Sequence, residues 1–133
     1  MRRLAAFAAG IGAALAAAAA GADWTPVGAA NEIYAAYADA TSIRRRGASL
    51  TMHGLYDFRR QDFTPEGRGL HSTAVLREYD CPGRRVRLLS SVDFSGHMGE
   101  GEPVWTRVDP GRWEDVIEGG IDAAYLGFAC ARG

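Results

Sequence analysis

Two cysteines constrain the fold of this chain more than any other feature of its sequence. Cys81 and Cys130 are the only cysteines among 133 residues, and neither belongs to a Cys-x-x-Cys or Cys/His spacing that predicts a metal or redox site. Pairing would close a loop of about 50 residues and stabilise a small domain by about 4 kcal/mol. Because disulfides persist mainly outside the reducing cytosol, the prediction depends on whether the chain is exported.

The N-terminus predicts export. Two arginines precede an apolar run from Leu4 to about Ala20, and an Ala-Gly-Ala sequence before Asp23 resembles a signal-peptidase site. We therefore predict a cleaved signal peptide at residues 1–22 and a mature domain at residues 23–133, with a cut two residues earlier as one alternative. The other alternative, an uncut membrane anchor, is less consistent with a run made mostly of Ala and Gly. No cysteine lies near the cleavage site to indicate lipid attachment.

The composition describes one folded domain that does not bind nucleic acid. Hydrophobic residues make up 47% of the chain and charged residues 23%, proportions that are inconsistent with intrinsic disorder. The chain has 15 basic and 16 acidic residues. Two of the arginines lie in the predicted leader, so the mature domain has 13 arginines against 16 acidic residues, a net charge of −3. A nucleic-acid-binding domain needs an excess of basic residues. The mature domain has no such excess, so its composition excludes this class.

Alternating apolar and polar residues predict an antiparallel sheet of five or six strands. In the clearest case Leu50 and Met52 point to one face, while Thr51 and His53 point to the other. The predicted strands, in chain order, are residues 24–27, 32–37, 48–58, 72–81, 85–94 and 102–108.

Turns and a loop separate these strands. Pro82-Gly83 predicts a type II turn with a positive φ at Gly83. Residues 39–42 are predicted as a capped turn, because Asp and Ser side chains bond to nearby backbone groups. The polar residues 59–70, rich in Gly, Pro and charge, are predicted as a loop.

The C-terminal segment changes to a helical period. The predicted apolar stripe consists of Ile117, Ile121, Ala124, Tyr125 and Phe128. Cys130 lies roughly opposite this stripe, so either the last turn is distorted or the helix is buried on more than one face. The predicted fold is therefore α+β, an antiparallel sheet with a C-terminal helix tethered across one face by a disulfide at Cys81. Such a sheet can leave its other face open to water.

Large aromatic side chains are predicted to complete the core. Aliphatic residues are few once the leader is removed, but the chain contains three Trp and five Tyr. Each large aromatic buries about 150–250 Å², and the disulfide would add to the stability of this thin core.

Several short motifs occur in a characteristic order along the mature chain. They are Tyr37-Ala38-Asp39 with Ser42-Ile43, Glu78–Cys81 with Arg84–Arg87, Phe94–Gly101, Trp113, and Phe128–Cys130. Together with the cysteine spacing they resemble the surface-adhesin protein E family over most of residues 24–131. The resemblance implies an antiparallel sheet with a disulfide-tethered helix. It also implies binding, because the family takes its name from a bacterial outer-membrane lipoprotein that attaches to host matrix and serum proteins such as vitronectin and laminin. The present chain departs from that lipoprotein in having no lipobox cysteine and no lysine-rich segment.

Arg84, Arg85 and Arg87 are the candidate partner-binding patch, because arginine is favoured at protein interfaces. The alternative is a solvated strand edge whose charges discourage edge-to-edge pairing. Arg44–Arg46, placed in a predicted turn, are interpreted in the same way as solvated side chains.

The sequence gives no basis for a catalytic, cofactor or metal site. His53, His71 and His97 have no metal-ligand spacing and are interpreted as isolated surface residues. No Gly-x-Ser-x-Gly elbow is present, and the glycines of residues 96–101 lack the Gly-Lys-Ser/Thr ending of a phosphate-binding loop. We therefore predict a protein without enzymatic activity, cofactor or metal.

These observations predict an exported, disulfide-bonded small domain of the surface-adhesin protein E type. It would act by protein or ligand binding in the periplasm or at the cell surface, and the resemblance implies host or matrix proteins as its partners. No transmembrane anchor is expected after cleavage. The alternative is a periplasmic envelope-associated structural protein with no host-binding role. A third hypothesis, an enzyme or small-ligand carrier, requires a deep pocket with convergent polar groups.

Overall fold

The computed structural model describes residues 22–133. The predicted signal peptide, residues 1–22, lies outside the described residues except for Ala22 and stays a prediction. The strands are β1 (Trp24–Pro26), β2 (Tyr34–Arg46), β3 (Ser49–Phe63), β4 (Gly69–Asp80), β5 (Arg85–Phe94), β6 (Pro103–Val108) and β7 (Glu114–Asp115). A short 3₁₀ turn spans His97–Gly99, and the helix α1 spans Ile121–Arg132.

Six strands follow one another across the sheet in chain order, from β1 at one edge to β6 at the other. Every pair is antiparallel. The short strand β7 pairs with β5 at Arg85 and Val86, beyond the residues at which β6 pairs with β5. The predicted antiparallel sheet with a C-terminal helix is confirmed, and β7 is an addition that the sequence pattern did not predict.

One face of the sheet is closed by α1. Leu50 and Met52 point to this face and are fully buried, as their alternation predicted. Small side chains at Ala36 and Ala38 leave room on β2 for the side chains of the helix. The core between sheet and helix consists of Val27, Ala36, Ala38, Leu50, Met52, Tyr79, Val86, Val116, Tyr125, Leu126 and Ala129.

The buried stripe of the helix differs from the predicted stripe. Tyr125, Leu126 and Ala129 are buried, whereas Ile117 precedes the helix and is 80% exposed. Residues three and four positions apart share one side of a helix, so Cys130 lies on the same side as Leu126. The cysteine therefore reaches the sheet from the buried side itself, and neither alternative raised by the predicted stripe is needed. Ile121, Ala124 and Phe128 of the predicted stripe are partly buried against the core, so the prediction failed only at Ile117 and missed Leu126 and Ala129.

Gly54 permits a close approach between helix and sheet. A Cβ atom at this position would lie 3.0 Å from Cε1 of Tyr125, which is tighter than an ordinary van der Waals contact. The tyrosine ring therefore lies directly on the backbone of β3. Its hydroxyl donates a hydrogen bond shared by the carbonyl oxygens of Tyr37, at 2.9 Å, and Leu55, at 3.2 Å. Burial raises the pKa of Tyr125 above its ordinary value, so the hydroxyl stays protonated and continues to donate.

Arg77 places a positive charge beneath the first turn of α1. Its Nη1 donates a hydrogen bond to the Tyr56 hydroxyl at 2.8 Å and lies 3.4 Å from Oδ1 of Asp122. The guanidinium carbon is 5.4 Å from the ring centroid of Tyr56 and 5.7 Å from that of Tyr125. These partners satisfy a largely buried charge that would otherwise destabilise the core.

The opposite face of the sheet is covered by a second, smaller cluster rather than left to water. The cluster contains Leu55, Ala74, Val92 and Phe94, with Trp24, Tyr37 and Met98 packed against it. Residues 95–102, which follow β5, fold back over this cluster. The alternation of β5 places Val92 and Phe94 on this face, and Phe94 is almost fully buried there.

Residues 59–70 are not a loop, and this prediction was wrong. Strand β3 continues to Phe63 and β4 begins at Gly69, so only residues 64–68 connect them. The pairing register shifts between Asp57 and Asp62, and the last five residues of β3 are exposed. The polar composition therefore reflects an exposed hairpin rather than irregular backbone.

Two predicted turns also differ from the structure. Residues 39–42, predicted as a capped turn, form an irregularity inside the continuous strand β2, where the side chain of Asp39 accepts a backbone hydrogen bond. Between β4 and β5 the residue with positive φ is Arg84, at 51°, and not Gly83. The backbone N–H of Gly83 instead donates to the Asp80 carboxylate at 3.0 Å, which closes the turn.

Residues 22–133 include no helix that is long and apolar enough to cross a membrane. The helix α1 has 12 residues, whereas a spanning helix needs about 20.

Candidate functional site

The predicted disulfide joins the end of β4 to the last turn of α1. Cys81 and Cys130 are bonded, and their Cα atoms lie 5.9 Å apart. Because Cys81 begins the turn from β4 to β5, the bond fixes the C-terminal part of α1 beside this hairpin. The pairing inferred from the sequence is confirmed, and it holds the segment that carries Arg84, Arg85 and Arg87.

Each of these three arginines is paired with a carboxylate. The pairs are Arg84–Glu118 at 2.7 Å, Arg85–Asp80 at 2.8 Å and Arg87–Glu78 at 2.7 Å. Arg84 lies in the turn and reaches toward the segment before α1, whereas Arg85 and Arg87 are two residues apart on one strand and share a face. The structure therefore brings two of the three arginines onto a common surface.

Trp113 completes the surface that Arg85 and Arg87 share. The guanidinium carbons of these arginines lie 5.2 and 5.0 Å from the centroid of the indole ring, within the range of cation–π attraction. Sequence reasoning assigned the tryptophans to the core and missed this position, because Trp113 is half-buried beside the sheet rather than inside it. We call Arg85, Arg87 and Trp113 the Arg–Trp patch.

Backbone hydrogen bonds hold the segment that carries Trp113 against β5. The N–H of Gly111 donates to the carbonyl oxygen of Leu88 at 2.7 Å, and the N–H of Val116 donates to that of Arg84 at 3.0 Å. Strand β7 pairs between these two points. A strand of two residues is too short to be recognised from alternation, so the position of Trp113 could not be predicted.

Glu78 is the buried acid beneath the Arg–Trp patch. It is 5% exposed, and its carboxylate accepts hydrogen bonds from the Ser49 hydroxyl and from Nε of Arg87 at 2.8 Å. Burial alone would raise the pKa of Glu78, but the bonds from Ser49 and Arg87 outweigh it and hold this pKa below its usual range. Loss of Arg87 would leave a buried carboxylate without its counter-charge, so Arg87 also has a structural role.

Arg44–Arg46 carry unneutralised positive charge at the same end of the sheet. Within residues 22–133 none of these three guanidinium groups forms a salt bridge. Arg44 donates instead to the backbone carbonyls of Thr41 and Ile43, and Arg46 pairs across the strands with Ser49, the partner of Glu78. Arg46 also helps to lower the pKa of Glu78 through its charge. Arg44–Arg46 therefore differ from Arg84, Arg85 and Arg87 in having no direct salt bridge to an acid.

The loop at residues 95–102 is held on the second face by polar side chains of the sheet. The hydroxyl of Ser72, a fully buried residue, donates to the carbonyl oxygen of Gly96 at 2.6 Å and accepts from the N–H of Gly99 at 2.8 Å. The Asp57 carboxylate accepts from the N–H of Met98 at 2.8 Å. Two neighbouring strands thus fix the loop through its backbone.

His71 and His97 are not isolated, contrary to the interpretation from sequence. Their ring centroids lie 4.6 Å apart. Nδ1 of His71 is 3.0 Å from the carbonyl oxygen of Ser95, and Nδ1 of His97 is 3.1 Å from Oδ1 of Asp57. His97 reaches His71 because the loop folds back over the sheet, a long-range contact that spacing along the chain does not reveal.

His53 lies elsewhere, in a shallow cavity of about 420 Å³. The cavity is lined by Asp39, Thr41, Ser42, Arg44, Thr51, His53 and Leu76. Burial lowers the pKa of His53, and the neighbouring Asp39 opposes this only in part. In the part of the chain that the structure describes, no three His, Cys, Asp or Glu side chains are grouped so that they could hold a metal ion.

The sequence and the fold are both similar to known proteins. A family model described as Surface-adhesin protein E matches residues 24–131. The fold is similar to that of Haemophilus influenzae protein E, with a TM-score of 0.63 at 12% sequence identity over 81% of this chain and 83% of that chain. A second crystal form gives 0.60 at 13% identity, covering 72% and 80%. Protein E from non-typeable Haemophilus influenzae gives 0.58 at 11%, covering 80% and 75%. No match was found among curated protein sequences.

Proposed function

The chain belongs to the surface-adhesin protein E family, and on this basis we propose that it is an exported, non-enzymatic domain that binds extracellular host or matrix proteins. The observation that carries the proposal is the family match across residues 24–131, which spans nearly all of the domain expected after signal-peptide cleavage. The disulfide between Cys81 and Cys130 supports export, because such bonds form in oxidising compartments.

We further propose that the mature protein acts at the cell surface. Protease added to intact cells should then degrade it while a periplasmic marker protein stays intact. Mass spectrometry of the secreted or envelope fraction should find a new N-terminus at or near Asp23. Protection of the chain until the outer membrane is opened would instead favour the alternative, a periplasmic envelope-associated protein with no host-binding role.

The Arg–Trp patch is the surface that we propose for partner binding. Trp and Arg are the residue types that most often dominate binding energy at interfaces, and here they stack on one another at the same end of the sheet. Arg44–Arg46 lie at the same end of the sheet and form no salt bridge within residues 22–133. Their charge favours a partner with an acidic surface, because complementary charge accelerates encounter and suppresses wrong partners.

A tryptophan exchange tests this surface with a control in the same molecule. Trp113→Ala removes the ring from the patch without leaving Glu78 or Asp80 unpaired, which substitution of Arg87 or Arg85 would do. Trp105→Ala on β6 is the matched control. Binding to immobilised matrix and serum proteins, measured by surface plasmon resonance, should weaken at least tenfold in Trp113→Ala, which corresponds to about 1.4 kcal/mol. Equal loss in both variants, or in neither, would exclude the patch as the contact.

A further inference from the structure

Each ring of the His71–His97 pair is anchored through Nδ1, which determines the nitrogen that remains free. The carbonyl oxygen of Ser95 can only accept a hydrogen bond, so Nδ1 of His71 must carry the proton of their 3.0 Å contact. The Asp57 carboxylate likewise accepts from Nδ1 of His97 at 3.1 Å. In a neutral imidazole only one nitrogen is protonated. Whenever a ring is neutral, its Nε2 atom therefore keeps an unshared electron pair.

We propose that His71 and His97 together bind a divalent transition-metal ion, Zn²⁺ or Cu²⁺, through their two Nε2 atoms. Metal-binding histidines almost always donate the other ring N–H to a carboxylate or a backbone carbonyl. In this pair, His97 contacts a carboxylate and His71 contacts a backbone carbonyl. Imidazole nitrogen is a ligand well suited to zinc and copper. The proposal goes beyond the proposed protein-binding function and does not depend on it.

The spacing of the rings suits a shared ion. Two nitrogens that each lie about 2.0–2.1 Å from one tetrahedral metal ion are roughly 3.4 Å apart. The ring centroids of His71 and His97 lie 4.6 Å apart with an angle of 43° between the ring planes. Rings this close together need only side-chain rotation to present both Nε2 atoms to one ion, and the proposal requires that rotation.

Hydrogen bonds to the sheet hold the segments that carry both histidines in place without any metal. His71 lies in β4 next to Ser72, which is fully buried and bonded to the loop. His97 lies in the loop that Asp57 and Ser72 hold on the sheet. Preorganised ligands of this kind lose little freedom on binding. The side chain of His97 is 54% exposed, so an ion can enter from solvent.

The protein supplies two ligands to this site, since residues 22–133 contain no grouping of three metal-binding side chains. Water completes the coordination, and the open positions make the ion exchangeable. The site therefore differs from a closed structural zinc site, whose loss would unfold the domain. We expect the fold to be the same with and without the ion.

Titration of the protein, purified without a histidine tag, with ZnCl₂ or CuCl₂ alone tests the proposal. Isothermal titration calorimetry should show one ion bound per chain. His71→Gln and His97→Gln should each weaken binding at least tenfold, and His53→Gln, at the histidine outside the pair, should leave it unchanged. Asp57→Asn keeps an acceptor for His97 but removes its charge, and it should weaken binding by roughly tenfold, as for other second-sphere partners.

Nuclear magnetic resonance gives a readout that does not depend on any variant folding. Zinc should shift the ring resonances of His71 and His97 in the unmodified protein and leave those of His53 in place. Undiminished affinity in His71→Gln and His97→Gln, zinc-dependent shifts confined to His53, or no heat of binding for either ion would each overturn the proposal.

Discussion

The two faces of the sheet are covered by different kinds of interaction. On one face, α1 contributes the apolar side chains of Tyr125, Leu126 and Ala129, and a disulfide fixes its last turn. On the other face, the loop at residues 95–102 lies over a smaller cluster and is held largely by hydrogen bonds from Ser72 and Asp57. Apolar burial is non-directional and scales with area, whereas a hydrogen bond depends on the position of individual atoms.

This difference predicts two kinds of response to substitution. The helix face should respond to lost volume and to the loss of its covalent tether, with effects on the whole domain. The loop face should open locally when one hydrogen bond is lost, because regions with few buried apolar contacts have the lowest opening free energies. Substitutions on each face therefore test whether the two faces respond differently.

The largest effect is expected at Tyr125. Tyr125→Ala removes a fully buried ring that packs on Gly54 and should lower the free energy of unfolding by about 3–5 kcal/mol, as for other large aromatic deletions. Tyr125→Phe keeps the ring but removes the hydrogen bond to Tyr37 and Leu55, and should cost about 1 kcal/mol. Urea unfolding followed by circular dichroism measures both. Equal losses in the two variants would show that the hydroxyl, not the apolar ring, holds the helix.

Removal of the disulfide should have the next largest effect. The double variant Cys81→Ser, Cys130→Ser avoids a free thiol and should lose about 2–4 kcal/mol of stability, because the unfolded chain regains the entropy of an open loop. The unmodified protein in excess reductant is the matched control and should show a similar fall in the urea midpoint. An unchanged urea midpoint in both cases would show that the disulfide does not stabilise the helix face.

The helix face was largely predictable because its interactions repeat along the chain. Alternation placed Leu50 and Met52 in the core, and the cysteine pair indicated where the helix attaches. The predicted stripe failed at Ile117, which fits a helical period with Ile121 although the helix begins only at Ile121. Local periodicity could not show how closely the helix approaches the sheet, since that depends on Gly54 and the small residues of β2.

The loop face and the candidate sites were less predictable because they depend on contacts between distant residues. Asp57 lies 41 residues from Met98, and Ser72 lies 27 from Gly99. Trp113 reaches Arg85 and Arg87 only through the two-residue strand β7. No periodic pattern in the sequence indicates which polar side chains of the sheet hold residues 95–102.

Ser72→Ala tests the loop face directly. Its hydroxyl serves Gly96 and Gly99, so the variant should lose about 1–3 kcal/mol, the range for leaving buried polar groups unsatisfied. Hydrogen–deuterium exchange should become faster in residues 95–102 and stay unchanged in α1. Ser91→Ala on β5 is the control at a half-buried serine. Faster exchange spread equally over loop and helix would show that the two faces open together and would remove the distinction between them.

The smallest effect concerns Glu78, which also lies on the second face, at the end away from the loop. Its pKa is lowered in the folded protein, so the unfolded chain binds the proton first as the pH falls. Glu78 therefore stabilises the fold above its unfolded pKa, and this contribution disappears as the pH drops through the folded pKa. Between about pH 6 and pH 3 the unmodified protein should lose more stability than Glu78→Gln does.

Urea unfolding at the two pH values measures this difference, with Glu66→Gln in the exposed connection between β3 and β4 as the control. The control should keep the pH dependence of the unmodified protein. If Glu78→Gln kept it as well, the carboxylate would not be held by Ser49 and Arg87 in solution. The second face would then depend on apolar contacts as the helix face does, and the contrast between the two faces would be confined to the loop.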